Sequence, residues 1–196
     1  MTTKSPVNLG LILFAMTMAI FFIVYYFFGG SQFYVTTLKV NSFILPILYC
    51  GVAFISVRSF WKNNRVVRFK EAYKRAFVPM FVGGALSMLS IFAFLNFVDV
   101  EAKNMLNHQY VERQKVELDK EYKDAKHFVK TDAEKLELEK KYQDRLKGFS
   151  DEMVAGKDML SFKFFAGYFA AILIFYVILS FFFGSFFRTR NPETQI

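Results

Sequence analysis

Four long stretches of this chain carry no charged residue: Pro6–Leu38, Val40–Val57, Ala76–Val98 and Phe164–Phe187. A helix crossing the hydrocarbon core of a bilayer needs about 20 mostly apolar residues. The apolar part of the first stretch, Leu9–Phe28, and the other three all approach or meet that length. A water-soluble helix of a small domain would show a polar stripe instead. The runs predict an all-α fold, a four-span transmembrane helical bundle. They also leave one sizeable polar segment, Asp99–Ser161, between spans three and four. The expected organisation is spans one to three with a basic loop at 58–75 in residues 1–98, a helical hairpin in 99–161, and span four with a basic tail in 162–196.

Charge is distributed unevenly around this frame. The net charge is +8, yet Asp99–Ser161 holds 13 of the 25 basic and 15 of the 17 acidic residues. The positive excess therefore lies in the short loops and the tail. A nucleic-acid binder would carry it on the folded polar part, so no nucleic-acid partner is expected. The first apolar run is too long for a cleaved leader, and the aromatic Tyr25–Phe28 is wrong for a cleavage site, so it reads as a retained anchor. The single cysteine, Cys50, lies in span two and allows no disulfide within the chain.

Orientation follows from loop charge. Lys and Arg close to the spans mark the cytoplasmic side. Between spans two and three stand Arg58, Lys62, Arg65, Arg68, Lys70, Lys74 and Arg75, against one acid, Glu71. Arg188 and Arg190 follow span four, and Lys4 precedes span one. Both termini of this multi-pass protein are expected in the cytoplasm, with the polar segment a helical hairpin on the outer side; in a bacterium that means the inner membrane and a periplasmic hairpin. Within the basic loop, Val66, Phe69 and Tyr73 alternate with bases at helical spacing. This predicts a short amphipathic helix, for which an orientation signal with no ligand is the plainer expectation and a place on the inner leaflet the sharper one, with Arg65, Arg68, Lys70, Lys74 and Arg75 as candidate contacts to anionic lipid.

The polar segment reads as two arms of similar length that meet near Lys130–Thr131. Val100–Val129 has no Pro or Gly and is rich in good helix formers, so span three is expected to run on unbroken into the first arm. Leu118, Tyr122, Ala125 and Val129 form a coiled-coil-like stripe. Thr131 followed by Glu134 has the pattern of a capping box. Leu138, Tyr142, Leu146, Phe149 and Met153 supply the facing stripe. Asp119–Lys123 and Glu137–Lys141 are spaced for ion pairs. Gly148 reads as a helix stop, with a fresh helix from Asp151. A lone two-helix hairpin buries little apolar area, so the stripe residues Leu118, Tyr122, Ala125, Val129, Leu138, Tyr142, Leu146 and Phe149 are candidate partner-binding positions.

The spans offer packing signals and little chemistry. Gly83 and Ser87, Ala166 and Ala170, and Gly167 and Ala171 stand four apart, a spacing that lets helices approach closely. Packing between spans is the plainer expectation and oligomer contact the sharper one. Pro46 and Pro79 predict kinks. No ionisable residue falls at mid-membrane, and Asn96 and Asp99 read as interfacial. His108 and His127 have no partners spaced for a metal. No nucleophile motif, phosphate loop or dinucleotide fingerprint occurs. No catalytic, metal or cofactor residue is assigned, and an enzyme is not expected.

The order of parts resembles an uncharacterised bacterial membrane family known as domain of unknown function 4199. The resemblance rests on Arg68-Phe69-Lys70-Glu71-Ala72-Tyr73-Lys74 before span three, on Gly148-Phe149-Ser150-Asp151-Glu152, and on Gly184 to Arg190. It implies four spans with a polar insertion between the third and fourth, and supplies no catalytic residues. The expected function is that of a non-enzymatic membrane subunit that contacts membrane lipid and binds a protein partner, or itself as a homo-oligomer, through the hairpin. A small transporter or channel-like protein is the alternative.

Overall fold

The computed structural model of the protein describes residues 5–64, 66–149 and 158–189. The described residues are helical, with no strand among them. In chain order they form α1 (Pro6–Phe28), α2 (Phe33–Lys39), a π-helical turn (Val40–Ile44), α3 (Leu45–Asn63), α4 (Phe69–Ala93), a second π-helical turn (Phe94–Val98), α5 (Val100–Lys126), α6 (Asp132–Lys147) and α7 (Phe162–Phe187). Four helical runs are long and apolar enough to cross a membrane: Pro6–Phe28, Phe33–Asn63, Phe69–Val98 and Phe162–Phe187. The chain divides into two compact units, one of residues 1–94 with 165–196 and one of residues 95–164.

The second run starts earlier than its uncharged core. Only residues 29–32 separate it from the first run, and the helix is under way by Phe33, still within the uncharged stretch that ends at Leu38. Lys39 ends an uncharged stretch but does not end a helix, because Lys is a good helix former. Phe33 is buried against the Tyr25 ring, which anchors the new helix to α1. The π turn that follows answers to Pro46. A proline ring collides with the carbonyl four residues back, here that of Ser42. The helix widens by one residue just before that point, and the Leu45 amide donates to the Val40 carbonyl.

Pro79 sits inside α4 without interrupting it. With no N–H of its own, it cannot supply the helical bond to the Arg75 carbonyl four residues back. Ser56 of α3 supplies one instead, its hydroxyl donating to that carbonyl at 2.7 Å. A serine on a neighbouring helix is one of the ways a proline is tolerated in a span. The same bond ties α3 to α4.

Helices α1 and α4 approach closely. A Cβ added at Gly83 would lie 2.9 Å from Leu13 and 3.0 Å from the Gly10 carbonyl oxygen. One added at Gly10 would lie 2.8 Å from Val82 and 3.1 Å from the Pro79 oxygen. Glycines on both helices thus admit backbone to backbone. Helix α7 joins the bundle differently, through large rings. Tyr176 stacks on Tyr49 with centroids 5.4 Å apart, and Phe183 and Phe187 meet Phe54 at 6.1 and 5.8 Å. Its C-terminal end is pinned by backbone. Val67 N–H donates to the Thr189 hydroxyl at 3.0 Å, and Thr189 N–H donates to the Val67 carbonyl at 2.9 Å.

The expectation that span three continues unbroken into the polar segment is corrected at Asp99. There the backbone turns away from helix (φ −132°, ψ 83°), and the Asp99 carboxylate accepts from the Ala102 amide at 2.9 Å. Aspartate is a strong N-cap. It starts a new helix where an unbroken one is predicted by composition alone.

Candidate functional site

The unit formed by residues 95–164 contains the hairpin. Helix α5 ends at Lys126 and α6 begins after Thr131. The capping box forms as expected: Glu134 N–H donates to the Thr131 hydroxyl at 3.4 Å, and Thr131 N–H donates to the Glu134 carboxylate at 3.1 Å. Hydrogen bonds from Thr131, with one from the Lys130 amide, hold the Glu134 carboxyl below its ordinary range. Asp119–Lys123 and Glu137–Lys141 close at 2.6 and 2.7 Å. Helix α6 stops at Lys147, next to Gly148. The fresh helix expected from Asp151, together with Met153, lies outside the described residues.

The eight stripe residues are the less exposed face of the two arms. Leu118 is buried, and Tyr122, Ala125, Val129, Leu138, Tyr142, Leu146 and Phe149 are half-buried. At the seam the Tyr122 and Tyr142 rings stack with centroids 4.3 Å apart. The Tyr122 hydroxyl donates to Glu139, and that bond pushes the phenol above its ordinary value. Arg145 crosses to Glu121 at 2.8 Å. The stripes therefore serve the hairpin's own seam, and they serve it thinly, since α6 has no buried residue. Other apolar side chains of the unit remain uncovered: Val116 is 67% exposed, Phe128 82% and Leu136 75%. Sequence periodicity picks out Leu118 and its fellows as the less exposed face, but gives no signal for these three, which fall off the stripe.

A second feature of this unit is a polar clasp where the two ends of the segment meet. Lys103 Nζ donates to the Asp158 carboxylate at 3.0 Å and to the Asn96 side-chain oxygen at 3.3 Å. Asn107 donates to Asp158 at 2.9 Å and accepts from the Met159 amide at 3.1 Å. The Leu160 amide also donates to Asp158, at 2.8 Å. Partial burial works to raise the Asp158 carboxyl. The donors from Asn107, Leu160 and Lys103 outweigh it and hold the group below its ordinary value. Asn96 thus belongs to a structural clasp, and Asp99 to a helix cap. Lys103, Asn107 and Asp158 carry no sequence signal that separates them from the other polar residues of the segment.

The expected amphipathic surface helix at 65–75 is corrected. Arg65 lies outside the described residues. Residues 66–68 are not helical, and Phe69 onward is the first part of α4. Phe69 and Tyr73 face Phe181 of α7, at 5.7 and 5.2 Å between centroids, so rings within the bundle take the surface that lipid would have covered. Arg68, Lys70 and Lys74 are exposed, whereas Arg75 is half-buried with its guanidinium 4.4 Å from the Phe60 ring centroid. The short-spaced small residues divide in the same way. Gly83 and Ser87 are buried, and Gly83 meets α1. Ala166, Gly167, Ala170 and Ala171 lie on an exposed face of α7, with nothing within 4 Å of a Cβ built at Gly167. Packing between spans accounts for the first pair and not for the other four.

Within the bundle, hydroxyls of three helices gather around Thr17. Thr17 donates to the Leu13 carbonyl at 2.8 Å and lies 3.3 Å from the Tyr49 hydroxyl, beside the stacked Tyr176. Tyr176 rests on Gly84, where an added Cβ would fall 2.9 Å from the ring. His108 and His127 are exposed, and no cluster of His, Cys, Asp or Glu among the described residues is arranged to hold a metal.

These features define a polytopic helical membrane protein with a polar helical insertion before its last span. The chain belongs to the family described as protein of unknown function DUF4199, whose model matches residues 8–189. No curated protein and no solved structure matches it.

Proposed function

We propose that this protein is a non-enzymatic subunit of the bacterial cytoplasmic membrane that binds a protein partner, or a second copy of itself, through its hairpin. In this reading both termini are cytoplasmic and the hairpin is extracytoplasmic. The observation that carries it is the uncovered apolar surface of a thin hairpin. Val116, Phe128 and Leu136 stay exposed while α6 buries nothing. Apolar side chains of that size, left in water on a segment so rich in charge, gain most when another surface covers them. The stripe residues then support binding indirectly, by holding the two arms together.

The test separates these roles. Phe128→Asp and Leu136→Asp should abolish association, read by co-purification from mild detergent and by cross-linking of the protein to itself, while helicity stays at the wild-type level. Leu118→Asp should loosen the hairpin as well as weaken association. Recovery of a clean monomer from wild-type cells, with no cross-linked product, contradicts the proposal.

A small transporter is the second reading, and the Thr17–Tyr49–Tyr176 group is the observation in its favour, since it places hydroxyls inside the bundle. Flux in reconstituted vesicles that falls on Tyr49→Phe would favour it over the subunit reading.

A further inference from the structure

We propose that the groove between α3 and α7 binds one anionic phospholipid, with an acyl chain along the groove and the phosphate held by Arg58 and Arg188. The groove is open to the outside, offers about 480 Å³, and its walls are apolar, with Ile47, Gly51 and Phe54 on one side and Leu179, Phe182 and Phe186 on the other. That volume lies in the range of about 300–1,000 Å³ usual for sites that hold a small molecule. A Cβ built at Gly51 meets nothing within 4 Å, so the groove floor is open there.

An apolar groove facing lipid would by itself accept any acyl chain. The cations at one end make this one selective. Ile47, Cys50, Gly51 and Phe54 follow one face of α3, and Arg58 is the next residue on that face. Its guanidinium carbon stands 5.6 Å from the Phe54 ring centroid, over a wall of the groove. Lys62 follows one turn later. Across the groove, Arg188 comes directly after Phe187, the last residue of α7, and the bonds between Thr189 and Val67 fix that end of the chain. Trp61 meets Phe187 at 6.1 Å between centroids, placing an indole at the same rim, where indole favours the headgroup layer.

None of these three cations has an acidic partner among the described residues, whose ion pairs all lie between Lys103 and Asp158, in the other unit. From Ile47 to Arg58 a helix rises roughly 16 Å, close to half of the hydrocarbon core of about 30 Å. The groove therefore runs the depth of one leaflet and ends among these positive charges. A phosphodiester lipid with net negative charge matches both parts. A zwitterionic lipid would bring its own cation to a rim that already has three.

The site is distinct from the expected contacts at Arg68, Lys70 and Lys74, which provides a control. The full-length protein in mild detergent is mixed with equal amounts of dioleoyl phosphatidylglycerol and dioleoyl phosphatidylcholine, and bound lipid is read by native mass spectrometry. The wild type should retain the glycerol lipid about thirtyfold over the choline lipid, the scale expected from two bases near a headgroup. Arg58→Gln with Arg188→Gln should bring that ratio close to one and leave total lipid retained. Gly51→Leu should reduce retention of both lipids. Lys70→Gln with Lys74→Gln should change neither quantity. Three results overturn the proposal: a ratio unaltered in the Arg58 and Arg188 variant, an equal fall in the Lys70 and Lys74 control, or a Gly51→Leu protein that changes its oligomeric state while keeping its lipid. The last would assign the groove to a helix of a second copy.

Discussion

The bundle and the hairpin are both helical, but polar groups serve them in opposite ways. In the bundle the polar contacts are short and local to the backbone. Ser56 donates to the Arg75 carbonyl, Thr17 to Leu13 and Ser180 to Tyr176, and the ion pairs between described residues all lie elsewhere, from Lys103 to Asp158. Its helices are brought together by fit, with glycine against backbone at α1 and α4 and ring against ring at α7. In the hairpin, Arg113–Glu117, Lys123–Asp119 and Lys141–Glu137 lie on exposed faces, and the apolar seam is thin. The contrast follows from solvent. Lipid gives apolar helices no hydrophobic reason to associate, so close packing and backbone satisfaction must do it. Water allows many exposed ion pairs, each contributing little.

That contrast breaks first at the glycines. Gly10→Val or Gly83→Val forces side chain against backbone oxygen in the α1–α4 seam. Overpacking of this kind costs about 1–3 kcal/mol, and the upper end is expected here because backbone cannot move aside as a side chain can. Unfolding in mixed sodium dodecyl sulfate micelles measures it. The same variants should leave hydrogen exchange in α5 and α6 unchanged.

The next effect sharpens the account of Pro79. Ser56→Ala takes the hydroxyl donor away from the Arg75 carbonyl, and losing the partner of a buried polar group costs about 1–3 kcal/mol. In a Pro79→Ala background the restored backbone amide at position 79 can serve that carbonyl, so Ser56→Ala should cost less than half as much. Equal costs in the two backgrounds would show that the serine acts by packing alone.

A smaller effect belongs to the clasp. Asp158 has a folded-state value depressed below its unfolded one. Its contribution to stability is therefore complete above the unfolded value, about 3.9 for aspartate, and is lost as pH falls through the lower folded value. Hydrogen exchange at Met159 and Leu160 should rise as pH drops from about 4, after correction for intrinsic rates, and Asp158→Asn should flatten that dependence. Smallest of all is Lys141→Ala. It removes a pair whose partners are 71% and 66% exposed, and no measurable change in thermal midpoint is expected.

These comparisons also explain which parts of the structure a reader of the sequence can recover. Uncharged length gives the spans, because the bilayer imposes it on each helix separately. Thr131 with Glu134, Asp119 with Lys123 and Glu137 with Lys141 are local spacings, and each forms. What needs a second element to be seen stays hidden. Nothing near Pro79 in sequence points to Ser56, and nothing near Lys103 points to Asp158. Lys39 is misleading because charge is a poor stop signal, and Asp99 is missed because one cap outweighs a long run of good helix formers. The candidate interaction face shows the same split. Period reveals the stripe that closes the hairpin, while the exposed Val116, Phe128 and Leu136 lie off it.

The proposed orientation has the hairpin in water outside the cell and the basic loop within it. The most direct measurement is labelling of intact cells by a membrane-impermeant maleimide, in a Cys50→Ala background that removes the one native thiol. Lys130→Cys, at the tip between α5 and α6, should be labelled without lysis, and Lys70→Cys should be labelled only after lysis. Protection of position 130 until the cells are opened, with labelling of position 70 beforehand, would contradict the account.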